Sequence, residues 1–278
     1  ETGMPLESGY GEKLLGGNHL RIEAPYVIYN EETGYYYMFL SFGGLDSDGG
    51  YNIRVCRSEN PNGPYVDSMG QDMKDCKGPA GSAFSDATAE LYGTKLMGGY
   101  KFTWKEGEEG EDRKGYLSPG HNSCLYQEET GKYFIIYHTR FENSGETHEV
   151  RVHQMFFNEE GWPVIAPYRY TEESAEKLES SQLVGTYKYI NHGRDISPDM
   201  KESEELILNK NNTLSGALEG TWELSGDYNI TLKTDEAEYK GIALKQWDED
   251  GKKYVMTFTA LDSKSGTAIW GSGLNAIE

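Results

Sequence analysis

"YVIYNEETGYYYMFLSF" at residues 26–42 aligns without a gap with "SCLYQEETGKYFIIYHT" at residues 123–139. Each stretch reads as an apolar strand, an acidic turn and an aromatic strand, and the turn Glu31-Glu32-Thr33-Gly34 stands where Glu128-Glu129-Thr130-Gly131 stands. At the same offset "NIRV" (52–55) matches "EVRV" (149–152), and slightly later "NPNGPYV" (60–66) echoes "NEEGWPV" (158–164). Three matches in one order define a repeated unit.

Each unit reads as four strands: an apolar one, a hairpin into an aromatic one, an alternating one centred on Arg-Val, and a last one after an Asn/Gly turn. Four-stranded antiparallel repeats of this size are the mark of propeller blades, and a propeller needs about four to eight of them. Two units cannot close the ring, so further blades are expected from elsewhere. The opening "ETGMPLESGYG", which reads like the end of a hairpin turn, agrees with that expectation. Between the units lies a polar insertion, residues 68–118, with a short strand in "KLMGGYKFTW" and a run, "KEGEEGEDRKG", expected to be a solvated loop.

After "SAEKLESSQ", a short polar linker with room for one helical turn, the pattern changes. "LVGTYKYINHG", "EELILNK", "GTWELSG", "YNITLKT", "AEYKGIALKQW", "KKYVMTFTALD" and "TAIWGSG" are short alternating strands between turn dipeptides, as in a small closed β-barrel. The expected fold is all-β: blades over 1–179 and an accessory barrel over 180–278.

The formal charge of -20 disfavours a phosphate backbone or an anionic membrane surface. No apolar run is long enough to span a bilayer, and the N-terminus has no signal-peptide pattern. An acidic, Tyr-rich chain suits a neutral polymer such as carbohydrate. Cys56, Cys76 and Cys124 form no CxxC pair; free, buried thiols are expected.

The first strand of a blade lines the central channel. The repeat sets Glu23 of "RIEAPY" opposite Gly120 of "SPGHNS", and Ala24 opposite His121, just before the two innermost strands. A carboxylate and an imidazole are therefore expected near the channel mouth. Arg140, ending "YHTR", is a candidate sugar contact or a strand-end salt bridge. The loop "FGGLDSDGGYN" (42–52) is a candidate cleft border with Phe42 and Tyr51 as stacking rings, although core packing is the commoner fate of an aromatic. His138, His148 and His153 read as structural.

"GGNHLRIEAPYVIYNEETGYYYMFLSFGGLDSDGGYNIRV", with "SPGHNS", "YHTR" and "HEVRVHQMFFNEEGWPV", resembles the arabinanases of glycoside hydrolase family 43 over residues 1–170, and the tail resembles the extra barrel of the two-domain members. The resemblance implies a five-bladed propeller that hydrolyses α-1,5-linked arabinan with inversion outside the cell. It makes Glu23 the general acid and puts His121 near a calcium ion on the axis, acting singly or through water. It also implies two catalytic Asp residues whose motifs this sequence lacks, so the general base is expected on missing blades or an N-terminal companion chain. A sugar-binding protein without catalysis and an exo-acting arabinofuranosidase or xylosidase are the alternatives.

Overall fold

A computed structural model of the chain describes residues 11–82, 84–108 and 113–277. The blade-like part holds β1 (Ile22–Asn30), β2 (Tyr35–Phe42), β3 (Asn52–Ser58), β4 (Thr94–Met97), β5 (Tyr100–Lys101), β6 (Tyr116–Gln127), β7 (Lys132–Phe141), β8 (Glu149–Phe157) and β9 (Pro163–Ile165). The C-terminal part holds β10 (Gly185–Asn191), β11 (Lys201–Glu202), β12 (Glu204–Leu208), β13 (Thr213–Gly216), β14 (Gly220–Ser225), β15 (Asn229–Lys233), β16 (Glu238–Asp248), β17 (Lys253–Asp262) and β18 (Thr267–Gly273). The fold is all-β.

Strands β1-β2-β3-β4 form one antiparallel unit and β6-β7-β8-β9 the second. The two hairpin turns fall where the repeat put them. The outer strand of the first unit does not: Val66 makes only isolated bridges, to Arg57 and Asp72, and β4, drawn from the insertion, takes the place beside β3. All four residues of β4 are buried, which suits an inner position better than the Pro- and Asn-rich 60–66 stretch. The insertion's expected single strand is split into β4 and β5, and β5 joins the other sheet against β6.

Strands β10 and β12 to β18 close into an eight-stranded barrel, β17 and β10 both pairing with β18. Its eighth strand, β13, is the polar segment "TLSG" that alternation alone does not reveal. Leu206, Trp222, Leu232 and Phe258 are among the residues filling the interior. A one-turn helix, Ser180–Leu183, leads in, with a reciprocal cap between Glu179 and Gln182.

The barrel and the two four-stranded units share a core. Trp270 and Ile190 point outward from the barrel into a cluster with Tyr100, Tyr137 and Ile135. The Trp270 ring packs edge-on to Tyr100 at 4.9 Å. The insertion is clamped to the barrel by charge: Arg113 donates to both carboxylate oxygens of Asp248 at 3.1 and 2.6 Å, and Lys188 pairs with Glu108 at 2.7 Å. The expectation of a solvated loop across "KEGEEGEDRKG" therefore fails for Glu108 and Arg113, whose side chains are 5% and 2% exposed; residues 109–112 lie outside the described residues. Paired charges can be buried where lone ones cannot.

Candidate active site

The sequence repeat has a backbone counterpart. In β1, Glu23 pairs with Ser41 and Tyr26 with Phe39, so one residue is extra. In β6, Gly120 pairs with His138 and Ser123 with Ile136, again with one extra. Both are β-bulges, which re-aim side chains at functional rims. Within them Ala24 (φ 51°) and His121 (φ 47°), equivalent positions in the repeat, adopt left-handed backbone that residues with a Cβ rarely take. The motifs lie inside the innermost strands rather than just before them.

The bulges bring Glu23 and His121 to solvent on either side of a buried group. Tyr51, 1% exposed, donates its hydroxyl to Glu23 Oε1 at 2.5 Å. Burial raises the Tyr51 pKa, the Glu23 carboxylate raises it further, and the Ser41 hydroxyl opposes. Tyr51 is thus a proton-bearing donor at any working pH. Its ring stacks on His138 at 6.0 Å, and His138 stacks in turn on His121 at 5.8 Å. The Ser41 hydroxyl accepts from the His121 N–H at 2.8 Å and donates to Asn122 Oδ1 at 3.1 Å, so the first unit fixes the bulge of the second. Burial, with the charges of His148 and His121, lowers the His138 pKa to about 4 against the pull of Glu23, leaving a neutral imidazole near pH 7.

Sequence reading underrated Tyr51 and His138. The signal was available: the repeat offset that pairs Glu23 with Gly120 also pairs Ser41 with His138 and Tyr51 with His148. Gly120 explains itself in three dimensions, since a Cβ there would lie 2.2 Å from Tyr51 Cε1.

Two other expectations change. Phe42 is fully buried under the Arg54 guanidinium, 4.9 Å from its ring, and offers no face to sugar. Its side chain belongs to a core with Met38, Leu40 and Tyr65, because the strand's alternation turns it inward. Arg140 is 1% exposed; it pairs with Glu146 and donates to the Leu45 carbonyl and, at 3.0 Å, to Ser118 Oγ. It takes the salt-bridge option and ties the 42–52 loop to β6. That loop's glycines serve close packing: Gly50, at φ 65°, lies against the backbone of Ser197 in the barrel's β10–β11 connection. Cys56, Cys76 and Cys124 are free and buried, as read.

The donors near His121 do not form a calcium cage. Calcium takes six to eight oxygen ligands, and among the described residues no group of three or more His, Cys, Asp or Glu side chains could hold a metal. What the site offers beside the Glu23 carboxylate is an exposed imidazole at His121, while the buried, unpartnered Asn122 Nδ2 is a hydrogen-bond donor and adds nothing to a cation site.

An exposed carboxylate on a strained bulge, held by a buried phenol beside a β-barrel, suits a glycoside hydrolase, and comparison with known proteins agrees. Residues 167–271 match GH43_C, described as a C-terminal lipocalin-like domain. The chain is 52% identical over 273 residues to the extracellular endo-α-(1→5)-L-arabinanase 2 of Bacillus subtilis, covering 98% of this chain and 57% of that protein. It is 49% identical over 276 residues to the extracellular endo-α-(1→5)-L-arabinanase of Thermotoga petrophila, covering 97% of this chain and 56% of that one. The structure of the family 43 YxiA protein from Bacillus licheniformis superimposes with a TM-score of 0.93 at 52% identity, over 99% of this chain and 60% of that one. Over nearly its whole length the chain is similar to a member of glycoside hydrolase family 43. It spans a little over half the length of the relatives it matches.

Proposed function

We propose that this chain carries the proton-donating part of an extracellular, inverting endo-1,5-α-L-arabinanase, with Glu23 as the general acid. The observation that carries this reading is the solvent-facing Glu23 carboxylate fixed by the Tyr51 hydroxyl. The extracellular endo-arabinanase names of the relatives at about half identity supply the substrate and the location, and no described helix is long and apolar enough to cross a membrane.

Inverting hydrolysis needs one protonated carboxyl at the leaving oxygen and a second, ionised one about 6.5–9.5 Å away to activate water. This reading assigns the general base to residues outside this stretch. The two units are then blades of a five-bladed propeller, residues 1–179, with residues 180–278 as the accessory barrel. Tyr26, Val27, Tyr29, Leu125 and Tyr126, exposed on both faces of the innermost strands, support this: they leave apolar surface against which further blades would pack, on the same polypeptide or a companion chain. Arg140 acts by holding the 42–52 loop rather than by touching sugar. A calcium ion near the axis, reached by His121 through water, would contribute positive charge beside the cleft.

The test is Glu23→Gln in the complete protein on debranched arabinan. Loss of a general acid costs about 10²–10⁴-fold in kcat; unchanged hydrolysis would overturn the assignment. Products separate endo from exo action: a ladder of oligosaccharides, or arabinose alone.

A further inference from the structure

A groove of about 930 Å³ runs between the blades and the barrel, at the hairpin end of the strands. It is not the Glu23 site. Glu23 and Asn30 sit at opposite ends of β1, seven residues apart, roughly 23 Å at 3.3 Å per residue. The groove is rimmed by the two repeat turns, the β8–β9 turn and the β14–β15 turn of the barrel. Its walls are held together across the gap: Glu159 Oε1 accepts from Ser225 Oγ at 3.3 Å and from Asn229 Nδ2 at 3.4 Å.

Three half-buried rings line it, Tyr35, Tyr133 and Tyr228. Tyr35 is backed by the Arg57 guanidinium at 4.3 Å, and Tyr133 by Phe157 at 5.1 Å, so both rings are fixed before any ligand arrives. Gln154 also lines the groove, is 3% exposed, and its Oε1 is buried with no hydrogen-bond partner among the described residues. A buried acceptor left unpaired costs about 1–3 kcal/mol, so native chains rarely keep one without a use. The rim carries Glu32, Glu160 and Asp227, while the lysine there, Lys132, is already engaged by Tyr170 and the Glu173 carbonyl. An anionic ligand is disfavoured. Fixed aromatic faces with an unpaired amide oxygen suit a neutral hydroxyl-rich molecule: C–H faces pack on the rings and a hydroxyl donates to the amide.

We propose that this groove is a second, non-catalytic saccharide-binding site that holds a neutral pentose oligosaccharide segment of the polymer hydrolysed at Glu23. The saccharide class rests on the functional reading above; the site itself rests on the groove.

The experiment uses the complete protein with Gln154→Leu and Glu23→Gln, read by three measurements: retardation in gels containing debranched arabinan, kcat/KM on a short soluble arabino-oligosaccharide, and chemical denaturation without saccharide. Gln154→Leu is expected to reduce retardation at least fivefold, to leave kcat/KM on the short substrate within twofold, and to leave the denaturation midpoint unchanged or raised. Glu23→Gln is expected to keep retardation and lose hydrolysis. Full retardation by Gln154→Leu overturns the groove site. So does a lowered midpoint, because it would mean that the complete protein itself satisfies the amide. Undiminished hydrolysis by Glu23→Gln overturns the functional reading instead, so the two failures are distinguishable.

Discussion

Gly120→Ala tests how the site is built. Gly120 has no left-handed backbone requirement, so the cost of a methyl there is steric. Its Cβ would sit 2.2 Å from Tyr51 Cε1 and 2.3 Å from Cδ1, whereas carbon atoms pack at about 3.5–4.0 Å. The ring must retreat by more than about 1 Å, which stretches its contact with Glu23 beyond the hydrogen-bonding range. Overpacking costs about 1–3 kcal/mol, and stranding the buried hydroxyl about 1–3 kcal/mol more, so about 2–6 kcal/mol of stability should go. Glu23 loses its anchor, and kcat/KM on arabinan should fall about tenfold or more, since a 1 Å misplacement can cost 10²-fold. The assay is a double-mutant cycle with Tyr51→Ala, by urea denaturation and initial rates on the complete enzyme. With the ring gone, Gly120→Ala should cost less than about 0.5 kcal/mol, leaving a coupling energy of about 1.5 kcal/mol or more. Equal costs in both backgrounds would refute the argument that Gly120 exists to seat Tyr51.

Two further outcomes follow from buried charge. His153 is fully buried between the Tyr137 hydroxyl and the Ala166 carbonyl, and burial holds its pKa near 4 against an ordinary 6.5. Below pH 6.5 the unfolded chain takes up a proton that the folded chain refuses, so stability present above 6.5 is lost as pH falls toward 4, on the order of 3 kcal/mol. Asp250, lifted by burial to about 6, acts in the opposite sense over part of that window; the readout is therefore the flatter pH dependence of His153→Gln against wild type, and identical slopes would refute it. Asp248→Asn takes from Arg113, 2% exposed, its two-pronged carboxylate partner and leaves it Glu108 at 3.4 Å and Asp250 at 4.0 Å, so it should cost about 1.5–3 kcal/mol in thermal or chemical denaturation; a loss under 1 kcal/mol would mean the clamp between insertion and barrel is not closed.

Hairpin registers, the two units and the barrel were legible because each rests on local signals: period-2 alternation, Thr-Gly turns and an internal repeat. What was not legible depends on contacts between segments distant in sequence. Nothing local tells Thr94–Met97 to displace residues 60–66 beside β3. Glu108 and Arg113 look solvated until Asp248 and Lys188, far along the chain, arrive to pair with them. Phe42 ends an aromatic strand at a glycine-rich loop, which looks like a cleft rim; strand alternation and a buried Arg54 decide otherwise. The shared core around Trp270 is likewise invisible to a linker-based division into domains.

The site itself was half legible, and the repeat explains why. Glu23, Ser41 and Tyr51 of the first unit correspond to Gly120, His138 and His148 of the second. Read as conservation of a unit, these positions are mismatches. Read as geometry, they are complementary. Gly120 is small, so Tyr51 can cross to Glu23 over it. Ser41 is small, and its hydroxyl reaches the His121 bulge. In the second unit His148 packs on His138 at 4.6 Å, with His148 Nε2 and His138 Nδ1 buried and unpartnered among the described residues. The shared backbone, two bulges with left-handed residues at the same place, fixes where side chains emerge; the divergence between units decides which emerges. A repeat that kept Glu at both positions would set two carboxylates against the same Tyr51 ring with no room for it. The departures from the repeat are therefore the part of the sequence that encodes the site.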